Sequence, residues 1–183
     1  MPEDPAVPVA DRDETFRRIV HEYEAPLRRL TLSYASGQAD REDIYQEILI
    51  AIWTALPRFR GDSSERTWVY RIAHNIAISA SVRCNRRKRD LSSYSLSLDM
   101  QTASSFDPEA ASLEAERRRL LAEAVRRISG LDKQIVLLYL EDLSNREIAD
   151  VVGLSEGAVA TRLSRARFTL AQIIKQGEAH EQR

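Results

Sequence analysis

The clearest chemical signature in the sequence lies between Ser144 and Arg167. This segment combines residues that cap helices, a glycine suited to a turn, and a series of arginines. Ser144 and Glu147 have the S-x-x-E spacing of a capping box, in which each side chain satisfies a backbone N–H at the start of a helix. Gly153 follows at the expected end of that helix, where a positive φ is often required. Ser155 can cap a second helix directly afterwards. The spacing predicts two short helices joined by a tight turn.

The second helix of this pair is expected to run from Glu156 to about Lys175. Val159 and Leu163 would anchor it in a core, and Ala149 is small enough for a close helix crossing. Short polar side chains and arginines on its outward faces could hold phosphates and bond guanine in the major groove of DNA. The pattern predicts a DNA-binding helix-turn-helix; the alternative is an ordinary helical hairpin with a solvated basic face. The outward residues are Glu156, Ala160, Thr161, Arg162, Ser164 and Arg165.

The composition argues against several other kinds of chemistry. The 183 residues include one cysteine, Cys84, and three scattered histidines, so neither an internal disulfide nor a zinc site is expected. The sequence has six glycines and no phosphate-binding loop of the Walker A or dinucleotide type, nor a nucleophile elbow. We therefore expect no enzymatic activity, no cofactor and no metal.

The N-terminus and the hydropathy of the chain favour a cytoplasmic protein. The first residues, MPEDPAVPVADRDE, are acidic and proline-rich, unlike a signal peptide. No stretch approaches the roughly 18 apolar residues that a membrane-spanning helix needs. We therefore expect no membrane insertion.

The net charge of −1 hides an uneven distribution of charge along the chain. Residues 12–89 carry 15 Lys and Arg against 10 Asp and Glu, whereas residues 90–112 carry four acids and no base. The acidic segment is rich in serine and lacks a sustained helical period, which is typical of a linker. We therefore expect a disordered tail over residues 1–11, a first domain over 12–89, a linker over 90–112 and a second domain over 113–177.

Apolar periodicity predicts three helices in the first domain, of which two precede a loop at residues 57–66. The first helix spans residues 14–35, with Pro26 marking a kink or a break. The second starts with Asp40 as its N-cap and runs to about Leu56. Because this helix is apolar on more than one face, it is either central in a bundle or covered by a partner.

The third helix is expected to begin near Ser64 and to bury Trp68, Ile72, Ile76 and Ala80 as its core face. Its other face lines up polar residues and then meets a basic cluster, together comprising Arg71, Asn75, Ser79, Arg83, Arg86, Arg87, Lys88 and Arg89. Further helices are expected at residues 113–128, 132–141, 145–152 and 156–175. The sequence therefore predicts an all-α protein, with two small helical domains joined by a flexible acidic linker.

Two parts of the chain resemble the sigma-70 family of bacterial RNA polymerase sigma factors, and in particular its extracytoplasmic-function (ECF) group. The run EIADVVGLSEGAVATRLSRARFTL resembles region 4 of the family. The run DREDIYQEILIAIWTALPRFRG resembles region 2 up to its polymerase-binding helix, and ERTWVYRIAHNIAISASVRCNRRKR resembles the −10 recognition helix that follows. The regions stand in the family's order without a recognisable region 3 between them, which is the mark of the ECF group.

The resemblance implies an alternative sigma factor that binds core RNA polymerase through the β′ clamp helices and the β flap, reads promoter DNA and opens it. The residues implied in polymerase binding are Asp43, Gln46, Glu47, Leu49 and Trp53. Those implied at the −10 element, where Phe59 and Asn75 would line a pocket for a flipped-out base, are Phe59, Arg60, Ser63, Arg66, Arg71, Asn75, Ser79, Arg83, Arg86 and Arg87. Those implied at the −35 element are Ser155, Glu156, Ala160, Thr161, Arg162, Ser164, Arg165 and Arg167.

Some assignments remain open at the level of sequence. Ala160 stands where relatives often carry Lys or Arg, which leaves the identity of the −35 bases undecided. Trp53 fits a core and an interface equally, Trp68 fits a core, and His74 is expected to be structural or phosphate-facing.

The resemblance also implies an anti-sigma factor that covers the region 2 and region 4 surfaces. Two other functions are compatible with a helix-turn-helix. A regulator of LuxR type would bind a palindromic operator unaided as a dimer. A sigma-like decoy would bind polymerase or an anti-sigma factor without initiating transcription, which the basic faces on both domains argue against.

Overall fold

A computed structural model of the chain describes residues 9–35, 37–92, 113–128 and 130–181. Its contacts divide the chain into two compact units, unit 1 over Met1–Leu98 and unit 2 over Asp99–Arg183. All regular elements of the described residues are helices, which confirms the all-α prediction. Most of the expected tail, residues 1–8, and most of the expected linker, residues 93–112, lie outside the described residues.

The described residues of unit 1 form three helices and one turn of 3₁₀ helix. Helix α1 spans Val9–Tyr34, α2 spans Gln38–Ala55, the 3₁₀ turn spans Leu56–Arg58, and α3 spans Glu65–Ser92. Helix α1 thus begins inside the expected tail, and α3 continues past Asp90, where the linker was expected to begin. All three helices pack against one another, and α2 makes the most extensive contacts, so it is the most central helix of the bundle.

The core of unit 1 forms where the apolar stripes of the three helices meet. Ile19 and Leu27 of α1, Ile48 and Ile52 of α2 and Val69 of α3 are all 0% exposed. Full burial of an aliphatic side chain of this size contributes about 1.5–3 kcal/mol to folding. The bundle is therefore held together chiefly by branched aliphatic residues at helical spacing.

Helix α1 is continuous through Pro26, so the expected break is absent. A proline inside a helix removes one backbone hydrogen bond and crowds the preceding turn. Tyr23 lies just before Pro26, and Leu27 and Leu30 lie just after it; all three are buried. Burial of the same stripe on both sides of the proline offsets the lost hydrogen bond and keeps the helix in one piece.

The prediction of Asp40 as the N-cap of α2 is wrong. Gly37 occupies the cap position with φ −95° and ψ 153°, and Asp40 lies inside the first turn. An acidic side chain is favourable in either place because the helix dipole is positive at this end. The sequence signal identified the helix start but not the residue that caps it.

The predicted core face of α3 is confirmed at Ala80 and wrong at its other three residues. Trp68, Ile72 and Ile76 are partly exposed, and the helix buries the neighbouring stripe in their place. That stripe consists of Val69, Tyr70, Ala73, His74, Ala77 and Ala80. A shift of one residue rotates a helix by about 100°, so the small alanines face the bundle and let α1 and α2 approach closely.

In unit 2, the described residues form four helices, and the last two make up the helix-turn-helix. Helix α4 spans Leu113–Arg127, α5 spans Gly130–Leu140, α6 spans Asn145–Val152 and α7 spans Glu156–Glu181. Helix α7 packs against α4, α5 and α6. The core includes Ile135, Leu138, Ile148 and Val159, each 0% exposed.

Candidate nucleic-acid and partner-binding surfaces

The start of α6 has the capping geometry that the sequence predicts. The Ser144 hydroxyl accepts a hydrogen bond from the Glu147 backbone N–H at 3.3 Å. The Glu147 carboxylate accepts the Ser144 backbone N–H at 2.8 Å. Both halves of the capping box are therefore present, and Ser144 and Glu147 together fix the start of α6.

The turn between α6 and α7 is built on a left-handed glycine. Gly153 has φ 72° and ψ 35°, and its N–H donates to the Ala149 carbonyl. This conformation costs an L-residue with a side chain about 1–2 kcal/mol, which explains the glycine. Ser155 then accepts the Ala158 backbone N–H at 3.3 Å and caps α7. The predicted helix-turn-helix is confirmed in its caps and its turn.

The buried stripe of α7 orients its remaining faces. Val159, Leu163, Ala166 and Leu170 are buried against the other helices of unit 2. The exposed residues of the expected −35 set are Ser155, Glu156, Ala160, Thr161, Ser164, Arg165 and Arg167, whereas Arg162 is partly buried. Most of the expected set thus shares one solvent-facing region of a capped helix.

Two arginines of this set are held by α5. The Arg162 guanidinium donates to the Asp132 carboxylate at 2.8 Å, and the Arg167 guanidinium lies 4.4 Å from the centre of the Tyr139 ring. Sequence analysis did not single out Asp132 or Tyr139. Nothing in the local spacing connects α5 with α7, so the pairing appears only when the two helices are packed.

On α2, the residues expected to bind polymerase differ in exposure. Asp43 and Gln46 are exposed, and Glu47, Leu49 and Trp53 are partly exposed. Trp53 also packs within unit 1. Its ring lies 5.1 Å from that of Phe16 in an edge-to-face arrangement.

Arg12 completes the packing around Trp53. The Arg12 guanidinium lies 3.8 Å from the Trp53 ring centre and donates to the Trp53 carbonyl at 2.6 Å. Cation–π and carbonyl contacts together tie the start of α1 to the end of α2. Trp53 therefore serves mainly as a packing residue of the bundle.

An apolar groove lies beside Glu47, between α2, the 3₁₀ turn and α3. It has a volume of about 470 Å³, and its exposed apolar residue is Ile50, at 63% exposure. Ile50 is not among the site residues that the resemblance implies. The other residues that line the groove are Glu47, Ala51, Thr54, Ala55, Arg58 and Ile76. The groove and the exposed isoleucine together offer apolar surface that a partner could cover.

The loop before α3 is closed by two aromatic rings. Phe59, at its start, lies 4.8 Å from Trp68 in the first turn of α3, with the ring planes tilted by 39°. Ser64 caps α3 by accepting the Thr67 backbone N–H at 3.1 Å. Trp68 is therefore a surface partner of Phe59 rather than the core residue that the sequence suggested.

The polar face of α3 carries most of the residues expected at the −10 element. Asn75, Ser79, Arg83 and Arg86 are exposed, and Arg71 is partly exposed. Within the loop and the first turn of α3, Arg60 is exposed, and Ser63 and Arg66 are partly exposed. The side chain of Arg87 lies outside the described residues.

One ion pair joins this polar face to α2. Arg83 donates through one guanidinium nitrogen to both Glu47 oxygens, at 2.7 and 2.5 Å. About half of each side chain remains exposed. A residue expected to bind polymerase and a residue expected to bind DNA thus contact each other directly.

His74 is a core residue, as one of the two sequence interpretations held. It is 1% exposed, and its Nδ1 atom has no hydrogen-bond partner. The rings of Tyr34 and Tyr70 lie edge-on and tilted against it, at 6.2 and 6.4 Å. Burial lowers the pKa of His74 to about 3, so the ring is neutral at neutral pH. A buried neutral ring cannot bind phosphate.

Within the described residues, no cluster of His, Cys, Asp and Glu could hold a metal ion. The same part of the chain contains no helix that is long and apolar enough to cross a membrane. Cys84 lies 3.5 Å from an Asp40 carboxylate oxygen, at the contact between α3 and α2.

Comparison with known proteins connects these surfaces to a family. The sequence matches the description "Sigma-70 region 2" over residues 19–89 and "Sigma-70, region 4" over residues 118–170. The ECF RNA polymerase sigma-E factor of Escherichia coli strain K12 is 32% identical over 165 residues, which cover 84% of this chain and 83% of that protein. The "Probable RNA polymerase sigma factor RfaY" of Xanthomonas campestris pv. campestris is 29% identical over 166 residues; this chain spans 41% of its length.

A solved structure has the same fold. The sigma factor RpoE of Bartonella quintana, in complex with the anti-sigma factor NepR, matches with a TM-score of 0.65 and 21% identity, over 88% of this chain and 98% of that one. Helix order, the two matched regions and the identity to a sigma-E factor agree with one another. The chain belongs to the ECF group of the sigma-70 family of RNA polymerase sigma factors.

Proposed function

We propose that this protein is an alternative sigma factor that binds core RNA polymerase, recognises the −35 and −10 elements of a promoter and promotes opening of the DNA. The observation that carries the proposal is the presence in one chain of both sigma-70 regions, each with an exposed polar or basic helix face. The protein would act in the cytoplasm, where polymerase and chromosomal DNA are found. The function is one of binding and positioning, with no catalysis of its own.

Polymerase binding is assigned to an α2 surface that consists of Asp43, Gln46, Glu47, Leu49 and Ile50. Its polar residues can satisfy polar groups of the β′ clamp helices, and Ile50 beside the groove supplies apolar area to bury. Fully burying such a side chain is worth about 1.5–3 kcal/mol. Trp53, which the resemblance implied here, contributes indirectly by fixing α2 against α1.

Recognition of the −10 element is assigned to α3 and the loop before it. Phe59 and Asn75 would line the pocket for an extruded base, and the arginines from Arg60 to Arg86 would hold phosphates. Extruding a base costs a few kcal/mol, so a pocket that bonds one base in preference to the others couples recognition to strand opening. The basic side chains would contribute affinity without sequence preference.

Recognition of the −35 element is assigned to the exposed side of α7. The capped N-terminus of α7 can enter the major groove in the manner of other helix-turn-helix proteins. Regulation by an anti-sigma factor is proposed because the RpoE neighbour is bound to one and because exposed docking surfaces must be covered while the protein is inactive. The β flap is proposed as the partner of unit 2.

The proposal is tested by transcription in vitro with purified bacterial core polymerase and a promoter library randomised at the −35 and −10 elements. The expected result is transcripts from a subset of templates with two shared sequence elements, and only when the protein is present. Transcripts without a shared element, or none at all, would contradict the proposal.

Two variants separate polymerase binding from folding. Ile50→Glu places a charge on the α2 surface and is expected to weaken core binding at least tenfold, measured by fluorescence anisotropy of the labelled protein. Leu32→Glu is the matched control, because Leu32 is also exposed, at 47%, but lies on α1. Equal weakening by both variants would show that Ile50 does not mark the docking surface.

A further inference from the structure

Helix α5 contacts two arginines of α7, which lie on opposite sides of the buried stripe of α7. Arg162 is paired with Asp132 at 2.8 Å, and Arg167 stacks on Tyr139 at 4.4 Å. At about 100° per residue, Arg162 and Arg167 lie roughly 70° to either side of the stripe centred between Val159 and Leu163. The two contacts therefore hold α7 on both sides of its buried stripe.

The positions of the two partners on α5 fix the angle between α7 and α5, and not only the distance between the two helices. Asp132 lies in the first turn of α5 and Tyr139 in its last turn, so the contacts are spread over the length of that helix. Two separated contacts resist rotation of one helix over the other, whereas one contact would allow it. The angle at which a recognition helix enters the major groove decides which side chains reach base edges.

The contacts also divide the arginines of the DNA-facing region into two classes. A guanidinium that reads guanine must present two donors to O6 and N7 in one plane. Arg162 already gives one of its terminal nitrogens to Asp132, and the Arg167 guanidinium lies over an aromatic ring. Within the described part of the chain, the Arg165 side chain makes no hydrogen bond, ion pair or ring contact, and it lies on the exposed side with Thr161 and Ser164.

We propose that Asp132 and Tyr139 are positioning residues of the −35 recognition helix. They hold Arg162 and Arg167 in contacts that set the angle of α7, and we call these two arginines the struts. Arg165, Thr161 and Ser164 then read the bases. This inference rests on the proposed function and narrows the set of −35 residues that the resemblance implies. Phosphate contacts by the struts would raise affinity without adding sequence preference.

The test uses the full-length protein as holoenzyme on a promoter that the wild-type protein selects. Single substitutions across the −35 element give a mismatch ratio at each base pair, which is transcription from the selected promoter divided by transcription from the mismatched one. A structural defect lowers all signals together, whereas a lost base contact flattens the ratio at one position. The ratio therefore reports reading separately from folding.

Arg165→Ala is expected to lower the mismatch ratio at one base pair about tenfold, the size of a lost bidentate contact. Arg162→Gln and Asp132→Asn are each expected to lower the mismatch ratios at several base pairs of the −35 element together, by about two- to fivefold, because the angle of α7 changes. The double variant Arg162→Gln/Asp132→Asn is expected to lower these ratios no further than either single variant, because both changes remove the same contact. Asp132→Glu keeps the charge and is expected to restore most of each ratio.

Tyr139 is tested by the same readout. Tyr139→Phe keeps the ring beside Arg167 and is expected to behave as wild type, whereas Tyr139→Ala is expected to lower the mismatch ratios at several base pairs together. All measurements are made at least 15 degrees below the midpoint of thermal unfolding of the weakest variant, so that loss of folding does not contribute.

Three outcomes would overturn the inference. A flattened ratio at one base pair in Arg162→Gln would make Arg162 a base-reading residue. Wild-type mismatch ratios in Asp132→Asn, with only a lower unfolding temperature, would make Asp132 a purely structural residue. Unchanged ratios in Arg165→Ala would remove Arg165 from reading. If the wild-type protein itself showed no −35 preference, the proposed function would fail first, and the two failures are thereby distinguishable.

Discussion

Helices α3 and α7 are the two proposed recognition helices, and the structure positions them by different means. Helix α7 begins at a serine cap directly after a glycine turn, and a regular stripe of Val159, Leu163, Ala166 and Leu170 buries one side. Helix α3 buries a stripe of alanines and aromatic residues against α1 and α2, which are distant in the sequence. Local sequence signals determine the position of α7, whereas packing between helices determines the position of α3.

The difference predicts where each helix is vulnerable. Helix α3 should depend on the aliphatic core of a three-helix bundle, in which α2 is shared by both neighbours. Helix α7 should depend on its turn and on the contacts with α5. Four changes, taken from the largest expected effect to the smallest, break or sharpen this contrast.

Ile52→Ala is expected to destabilise unit 1 by about 2–5 kcal/mol, because it leaves a cavity at a fully buried position of the central helix. Urea unfolding followed by tryptophan fluorescence measures it, since Trp53 and Trp68 both lie in unit 1. Ile50→Ala is the matched control two positions away; its side chain is 63% exposed, so a change within about 0.5 kcal/mol is expected. Equal losses in the two variants would contradict the assigned orientation of α2.

The same distinction explains how far the sequence alone predicted the structure. The caps, the turn and the two buried anchors of the helix-turn-helix all lie between Ser144 and Leu163, so their signals are local. The face that α3 buries does not follow from local signals. Trp68 and Ile72 are the more apolar choices, yet His74, Ala73 and Ala77 are buried in their place. That choice depends on how closely α1 and α2 approach, which one helix's periodicity does not contain.

The candidate site divides in the same way. Asp43, Gln46 and the exposed residues of α7 lie on the surface as the family pattern led us to expect. The contacts of Asp132 with Arg162 and of Glu47 with Arg83 join residues 30 and 36 positions apart. Ion pairs between helices leave no periodic trace in a sequence, so only the packed structure brings them together.

The stability of unit 1 is expected to fall by about 2 kcal/mol between pH 7 and pH 5 because of His74. Burial lowers its pKa to about 3, whereas the unfolded chain has a histidine pKa of about 6.5. The unfolded state therefore binds a proton that the folded state excludes, and stability is lost progressively as the pH falls below 6.5. Tyr34, whose ring faces His74, does not titrate in this range because burial raises its pKa.

Urea titrations of the wild-type protein and of His74→Leu at pH 7 and pH 5 measure this loss by tryptophan fluorescence. His74→Leu removes the titrating ring and should reduce the difference between the two pH values by about 2 kcal/mol. The same pH dependence in both proteins would assign it to carboxylates instead. Unit 2 buries Gln134 as its polar residue, which does not titrate.

Gly153→Ala is expected to destabilise the α6–α7 turn by about 1–2 kcal/mol, because φ is 72° at this position. Gly157→Ala is the opposite case: Gly157 lies inside the first turn of α7, and an added Cβ meets nothing within 4 Å. That change should stabilise α7 by up to about 1 kcal/mol, since alanine favours a helix more than glycine. Hydrogen exchange of peptides from α6 and α7 measures both, and effects of the same sign would contradict the assigned turn.

Glu47→Gln is expected to have the smallest effect, a loss of about 0.2–1 kcal/mol in unit 1, because the pair with Arg83 is half exposed. Glu65→Gln is the matched control: it breaks the Arg18–Glu65 pair, which joins α1 to α3 at 2.5 Å in the same unit. Both losses should shrink in high salt, and a double-mutant cycle of Glu47→Gln with Arg83→Gln gives the pair's own energy. The energy of the Glu47–Arg83 pair limits how strongly binding at the α2 surface can affect binding at the basic face of α3. If Glu47 left Arg83 to contact polymerase, the affinity for DNA would therefore change by about fivefold at most. A cycle energy well above 1 kcal/mol would show that the two surfaces of unit 1 are linked far more tightly than the struts of unit 2.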